Sequence, residues 1–146
     1  MNRIACTAEL ANLPALLALV AATCRRERID DPTCHDLQLI VEEACVNVVH
    51  HAYPAGQGGP LALEVRIVEQ GGPRRIVLTL EDQGTPFDPL SVAPVDTTTA
   101  AVETRALGGL GVHLIRRLSN RQHYQRHPRR GNVFTIEKYL APPASH

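Results

Sequence analysis

Glu43 and Asn47 stand four residues apart in LQLIVEEACVNVVHHAYP (37–54). That spacing puts both side chains on one face of a helix, about 6 Å apart along its axis. On an otherwise apolar face the pair can serve as a base and a metal-oxygen ligand. An Asn oxygen is a hard donor suited to Mg²⁺, which keeps few protein ligands beside phosphates and water. A Glu carboxylate within hydrogen-bond reach can take a proton from an attacking hydroxyl. A second group is Asp82-Gln83-Gly84, where an acceptor-only carboxylate can receive a hydrogen bond from an exocyclic amine such as adenine's. The glycine two residues on lets a flat ring approach the backbone. A third is Gly108-Gly109-Leu110-Gly111 at a helix start, where exposed N–H groups and the positive dipole end favour a phosphate. It is not a Walker motif, because Val112 and His113 follow Gly111 instead of Lys and Ser or Thr. Taken singly, these groups are a polar stripe, a turn and a glycine run; together, in this order, they are far more specific.

The elements that must position them read as follows. Met1 to Ala8 reads as a short strand, and Asn12 as the N-cap of a helix, LPALLALVAATCRRERI, with basic residues gathering at its C-terminal end. The Glu43/Asn47 helix runs from Asp31, read as N-cap before Pro32, to about Tyr53. Residues 54–60 are a loop by composition. Leu61–Glu69 and Arg75–Glu81 alternate apolar and polar around Gly71-Gly72-Pro73, which predicts an antiparallel hairpin. Residues 88–106 show no sustained period, and a loop of that length in one domain is usually functional or mobile. A helix with Val112, Leu114, Ile115 and Leu118 apolar follows. Arg121–His127 and Val133–Leu140 read as closing strands, and 141–146 as a frayed tail. The segregation of helices from a mostly antiparallel sheet predicts an α+β two-layer sandwich, helices on one face, as a single domain over 1–146.

Lys+Arg and Asp+Glu are 15 each in 146 residues, so no bulk charge favours direct nucleic-acid binding or an anionic membrane. Cys6, Cys24, Cys34 and Cys45 have no CxxC spacing. With no secretory signal and no bilayer-length apolar run, the expectation is a reduced, cytoplasmic protein. Adjacent His50 and His51 point to different sides of a helix with no second ligand at i+4, which argues against a transition-metal site.

EEACVNVVHHAYP, DQGTPFDP and GGLGVHLIRRL, in that order, resemble the N, G1 and G2 boxes of the GHKL (Bergerat-fold) ATPase superfamily. The likeness is strongest to its small bacterial branch of anti-sigma-factor serine/threonine kinases, the switch-protein kinases of partner-switching systems. It runs from about Asp36 to Leu140. The resemblance implies that Glu43 is the general base, Asn47 the Mg²⁺ ligand, Asp82 the adenine-reading aspartate and Gly84 its neighbour at the base. It places Gly108, Gly109 and Gly111 at the phosphates of ATP and a mobile lid over 88–107. It also implies Arg105 as a phosphate contact from that lid and Thr135 as a water-bridged adenine contact. The chain departs from many relatives at His50, three residues after Asn47, where they carry Arg or Lys. A neutral imidazole there is a weaker phosphate partner than a guanidinium.

The function implied is an ATP- and Mg²⁺-dependent kinase that also sequesters a sigma factor. It would phosphorylate a serine or threonine on a STAS-type antagonist, and family homodimerisation is expected. The alternative is a non-catalytic sequestering module, with ATP as a structural ligand or absent.

Overall fold

The alternation at Leu61, Leu63, Val65 and Ile67 builds strand β2 (Pro60–Val68) in a computed structural model that describes residues 2–54, 57–91 and 109–141. It pairs antiparallel with β3 (Arg75–Asp82), Leu63 opposite Leu80 and Leu61 opposite Asp82. The turn between them uses Gly71 at φ +77°, a conformation that favours glycine. Strand β1 (Arg3–Thr7) joins the other edge of β2, β5 (Gly131–Tyr139) pairs with β3, and β4 (Arg121–His127) closes the outer edge. The five strands run in the order β1-β2-β3-β5-β4, all neighbours antiparallel.

Side-chain period two divides the sheet into faces. Leu63, Val65, Ile76, Leu78, Leu80 and Ile136 point to one face, in the same core cluster as Leu16 and Val20 of α1 (Leu13–Arg26). That cluster also holds Leu37, Ile40 and Val41 of α2 (Asp31–His51) and Ile115 of α3 (Gly109–Leu118). Each fully buried Leu or Ile contributes about 1.5–3 kcal/mol of transfer free energy, which fixes the register. This is the expected α+β sandwich. Cys24 and Cys45 sit in the core as free thiols, pushed up to about 12 mainly by burial. They behave as small hydrophobes.

The N-cap of α2 is Asp30, not Asp31: the Asp30 carboxylate accepts from the Thr33 N–H at 3.0 Å, and Asp31-Pro32 form the first turn. Asn12 precedes α1 but does not cap it, because its amide turns back to the Thr7 carbonyl at 2.9 Å. Strand β5 starts at Gly131, two residues before the expected Val133.

Helix α1 ends in a Schellman arrangement, with Ile29 N–H bonded to Cys24 C=O (2.9 Å) and Arg28 N–H to Arg25 C=O (3.3 Å). The left-handed residue that this ending needs is Arg28, at φ +56°. Arg28→Gly is therefore expected to stabilise the fold by about 0.5–1 kcal/mol, the relief of left-handed strain outweighing glycine's added unfolded-state entropy. A denaturant midpoint that rises with an unchanged m-value would register this.

Candidate functional site

Helix α2 carries Glu43 and Asn47 to the cleft beside α3. Asn47 is 7% exposed, and its Nδ2 is buried with no hydrogen-bond partner. An unpaired buried amide is expensive unless a ligand completes it. Glu43 is half-buried, and among the described residues no hydrogen bond or ion pair occupies its carboxylate. Burial, helped by the neighbouring Glu42 charge, holds its pKa above the ordinary value. Gly111, in the first turns of α3, lies directly over this carboxylate: a Cβ built there would overlap Glu43 Oε2. Glycine at 111 is what lets the α3 backbone come this close to the carboxylate.

Asp82 ends β3 on the same face as Leu80 and therefore points toward α2. It lines a cavity with apolar walls from Val48, Ala52, Phe87 and Phe134, and shares its polar part with Asn47 and Asn132. Asp82 Oδ1 accepts from the Gly84 N–H (2.9 Å) and from Asn132 Nδ2 (2.8 Å). Oδ2 has no hydrogen-bond partner among the described residues, so one acceptor of this carboxylate remains for a ligand donor. Burial raises the Asp82 pKa, and Asn132, Gly84 and the Arg126 charge act against that rise. The loop after Asp82 is fastened to the end of α2. Thr85 N–H reaches the Ala52 carbonyl at 2.7 Å, and Gly84 sits so near that carbonyl that a Cβ would overlap it. The Tyr53 hydroxyl accepts from Gln83 N–H (2.7 Å) and donates to the Pro60 carbonyl (2.6 Å), tying the same loop to β2.

The structure thus brings Asn47 and Asp82 to one cavity at the C-terminal half of α2, with Gly84 bonded to Asp82 beside it, and sets Glu43, one turn before Asn47, against Gly111. Thr135 is not part of it. It pairs with Thr79, three residues from the Asp82↔Asn132 pair, and the odd offset sends its side chain to the sheet face away from the helices. The polar β5 group beside Asp82 is Asn132, 4% exposed, one residue before the strand start expected at Val133. Extending β5 back to Gly131, at φ +76°, would have put Asn132 opposite Asp82. His50 is exposed and does not line the cavity; His51 instead stacks on Phe87, ring centroids 5.0 Å apart. Tyr53 was legible only as part of a motif, and its fastening role depends on long-range contacts. Gly109 is the first residue of α3. Arg105, Gly108 and 92–107 of the expected lid lie outside the described residues, while Pro89–Ser91 form a short 3₁₀ turn. Among the described residues no group of three His, Cys, Asp or Glu could hold a metal, and no helix is long and apolar enough to cross a membrane.

The donor set suits Mg-ATP. Asn47 offers an unpartnered buried amide N–H group that a phosphate or base acceptor would satisfy and an amide oxygen of the hard type that Mg²⁺ takes, Gly111 brings backbone against the Glu43 carboxylate, and Asp82 offers one carboxylate oxygen beside apolar walls.

Residues 6–138 match the family described as histidine kinase-like ATPase domain. The chain is 30% identical over 109 residues to the serine-protein kinase RsbW of Bacillus subtilis (strain 168), an alignment covering 72% of this chain and 64% of that protein. It is 32% identical over 109 residues to the serine-protein kinase RsbW of Halalkalibacterium halodurans, covering 72% and 62%. The chain therefore spans under two thirds of the length of these relatives. Its fold is similar to a chain in the crystal structure of the SiaB-SiaC complex from Pseudomonas aeruginosa, with TM-score 0.59 and 13% identity, covering 94% of this chain and 89% of that one.

Proposed function

Because the chain belongs to the histidine kinase-like ATPase domain family, we propose that it binds Mg-ATP in this cleft and phosphorylates a serine or threonine on a small STAS-domain partner. The observation that carries this reading is the Glu43 carboxylate, half-buried, unpaired among the described residues and roofed by the backbone of Gly111, on the same helix face as the unpartnered Asn47. A carboxylate so placed accepts the proton of an incoming hydroxyl, and its raised pKa makes it a stronger base than a solvated one. Bound ATP supplies the phosphoryl group, and Mg²⁺ neutralises charge on it. Asn47 would hold the metal, Gly109 and Gly111 would give the phosphates close access to the start of α3, and Asp82 would orient the base. Such catalysis depends on positioning and charge neutralisation, so one base, one metal ligand and backbone donors suffice.

The relatives named serine-protein kinase support the reading as a kinase, and the target follows from the resemblance to switch-protein kinases. In that scheme a sigma factor competes with the unphosphorylated antagonist for the chain, with the chain as homodimer. A phosphate adds about −1.5 to −2 charge to the antagonist and breaks its docking by repulsion and desolvation. The test is to incubate the protein and Mg-ATP with the STAS-domain proteins of its host. Phosphate found on a serine or threonine of one of them supports the reading. No transfer to any of them leaves sequestration as the activity.

A further inference from the structure

Asp82 does not hold its own orientation; a chain of hydrogen bonds from the β4–β5 hairpin does. Asn132 Nδ2 faces two groups that can only accept, Asp82 Oδ1 at 2.8 Å and the Thr85 carbonyl at 2.9 Å. The nitrogen of this amide must therefore lie on that side, and both its hydrogens are used. Asn132 Oδ1 consequently faces the Tyr124 hydroxyl at 2.5 Å, and that hydroxyl must donate. Every proton in the chain from Tyr124 through Asn132 to Asp82 has one direction. Arg126, also on β4, adds a fixed positive charge through its bond to the Gly84 carbonyl at 2.8 Å.

We infer that Tyr124 and Asn132 are positioning residues that lock Asp82 with Oδ2 alone facing the ligand, so that the cleft selects a purine carrying an amino group over one carrying a carbonyl at that place. The inference rests on the nucleotide-binding reading above. Neither residue need donate to the base. Oδ1 already receives two protein donors, so the carboxylate has one orientation and presents one acceptor. A carbonyl there would meet that acceptor lone pair to lone pair, whereas an amino group would meet it with a hydrogen. Asn132 also holds the Thr85 carbonyl, so the loop backbone beside the cavity and the base acceptor are set by one support.

The test is calorimetric titration of the full chain with Mg-ATP and with Mg-ITP, the deaminated nucleotide, which carries a carbonyl in place of the amino group. It compares wild type, Tyr124→Phe and Asn132→Ala. Tyr124→Phe keeps the ring and removes only the hydroxyl. It should weaken ATP binding by roughly fivefold to tenfold and leave the deaminated nucleotide's affinity unchanged, shrinking the preference for the amino group by the same factor. Asn132→Ala should shrink it further. Equal losses for both nucleotides would assign the pair a merely structural role and overturn the inference, as would an unchanged preference in Tyr124→Phe. A wild type that binds neither nucleotide would overturn the nucleotide reading itself, an outcome distinct from the other two.

Discussion

Glu43→Gln is expected to keep Mg-ATP affinity within about twofold and to cut phosphoryl transfer by about 10²- to 10⁴-fold, the usual range for loss of a positioned base. Glutamine matches glutamate in size and preserves the packing under Gly111, but it cannot accept the proton. Single-turnover transfer to the acceptor protein, beside equilibrium nucleotide binding, separates these effects. A parallel loss of binding would mean that Glu43 supports the fold of the site rather than the reaction. The same variant has an opposite signature in stability. Burial and Glu42 raise the Glu43 pKa above the ordinary glutamate value, so the folded state holds this proton more tightly than the unfolded chain. The group's stabilising contribution is full below the unfolded value and is lost as pH rises through the folded one. At neutral pH the ionised carboxylate is a net burden, and Glu43→Gln should melt above wild type there. The advantage should vanish below about pH 4, where both states of the wild type are protonated.

Gly84→Ala is expected to lower the melting temperature by roughly 3–10 °C and to remove nucleotide binding with it. A Cβ at position 84 would overlap the carbonyl carbon and oxygen of Ala52. These are backbone atoms at the end of α2, and no rotamer change moves them aside. Overpacking of this kind costs about 1–3 kcal/mol, and a domain of this size loses about 3 °C per kcal/mol. The loop must then lift, and both the Gly84 N–H bond to Asp82 and the Thr85 N–H bond to Ala52 go with it. Gly111→Ala is the informative contrast. Its Cβ would meet the end of the Glu43 side chain, which can swing away. That variant should melt near wild type and lose turnover if the displaced carboxylate is the base proposed for it. Thermal melts and transfer rates on the two variants distinguish a glycine needed by the backbone from one needed by the carboxylate.

The parts of this molecule that were legible in the chain are those set by local periodicity. Leu61, Leu63, Val65 and Ile67 alternate strictly, and β2 and β3 pair as that alternation requires. Glu43 and Asn47 share a face because the helix period is local, so their joint arrival at one cleft needed no knowledge of the fold. Thr135 and Asn132 show where local reasoning ended. Both are polar residues near the start of β5, and only the pairing of β5 with β3 decides which one faces the helices. That pairing is fixed by Phe134 and Ile136 entering the core opposite Leu80 and Leu78, a contact between residues more than fifty apart in the chain. The Asp30 cap was missed by one residue for a smaller reason. Asp30 and Asp31 are equivalent as residue types before Pro32, and the Thr33 N–H and hydroxyl both choose the first. The role of Tyr53 in holding the Asp82 loop, and the approach of Gly111 to Glu43, depend on how separate elements pack, which no spacing within one element encodes.

The central claim is that one cleft reads a nucleotide base through Asp82, and calorimetric titration of Mg-ATP into wild type and Asp82→Asn tests it most directly. In the variant the amide oxygen can still accept from Gly84 and Asn132, which turns the amide nitrogen toward the base, donor against donor. Loss of the charged acceptor alone is worth about 1.5–3 kcal/mol, so affinity should fall by at least about tenfold and by about a hundredfold with the donor clash added. One-to-one binding by wild type with that loss in Asp82→Asn is the predicted result. Equal binding by the two proteins, or none by wild type, would contradict it.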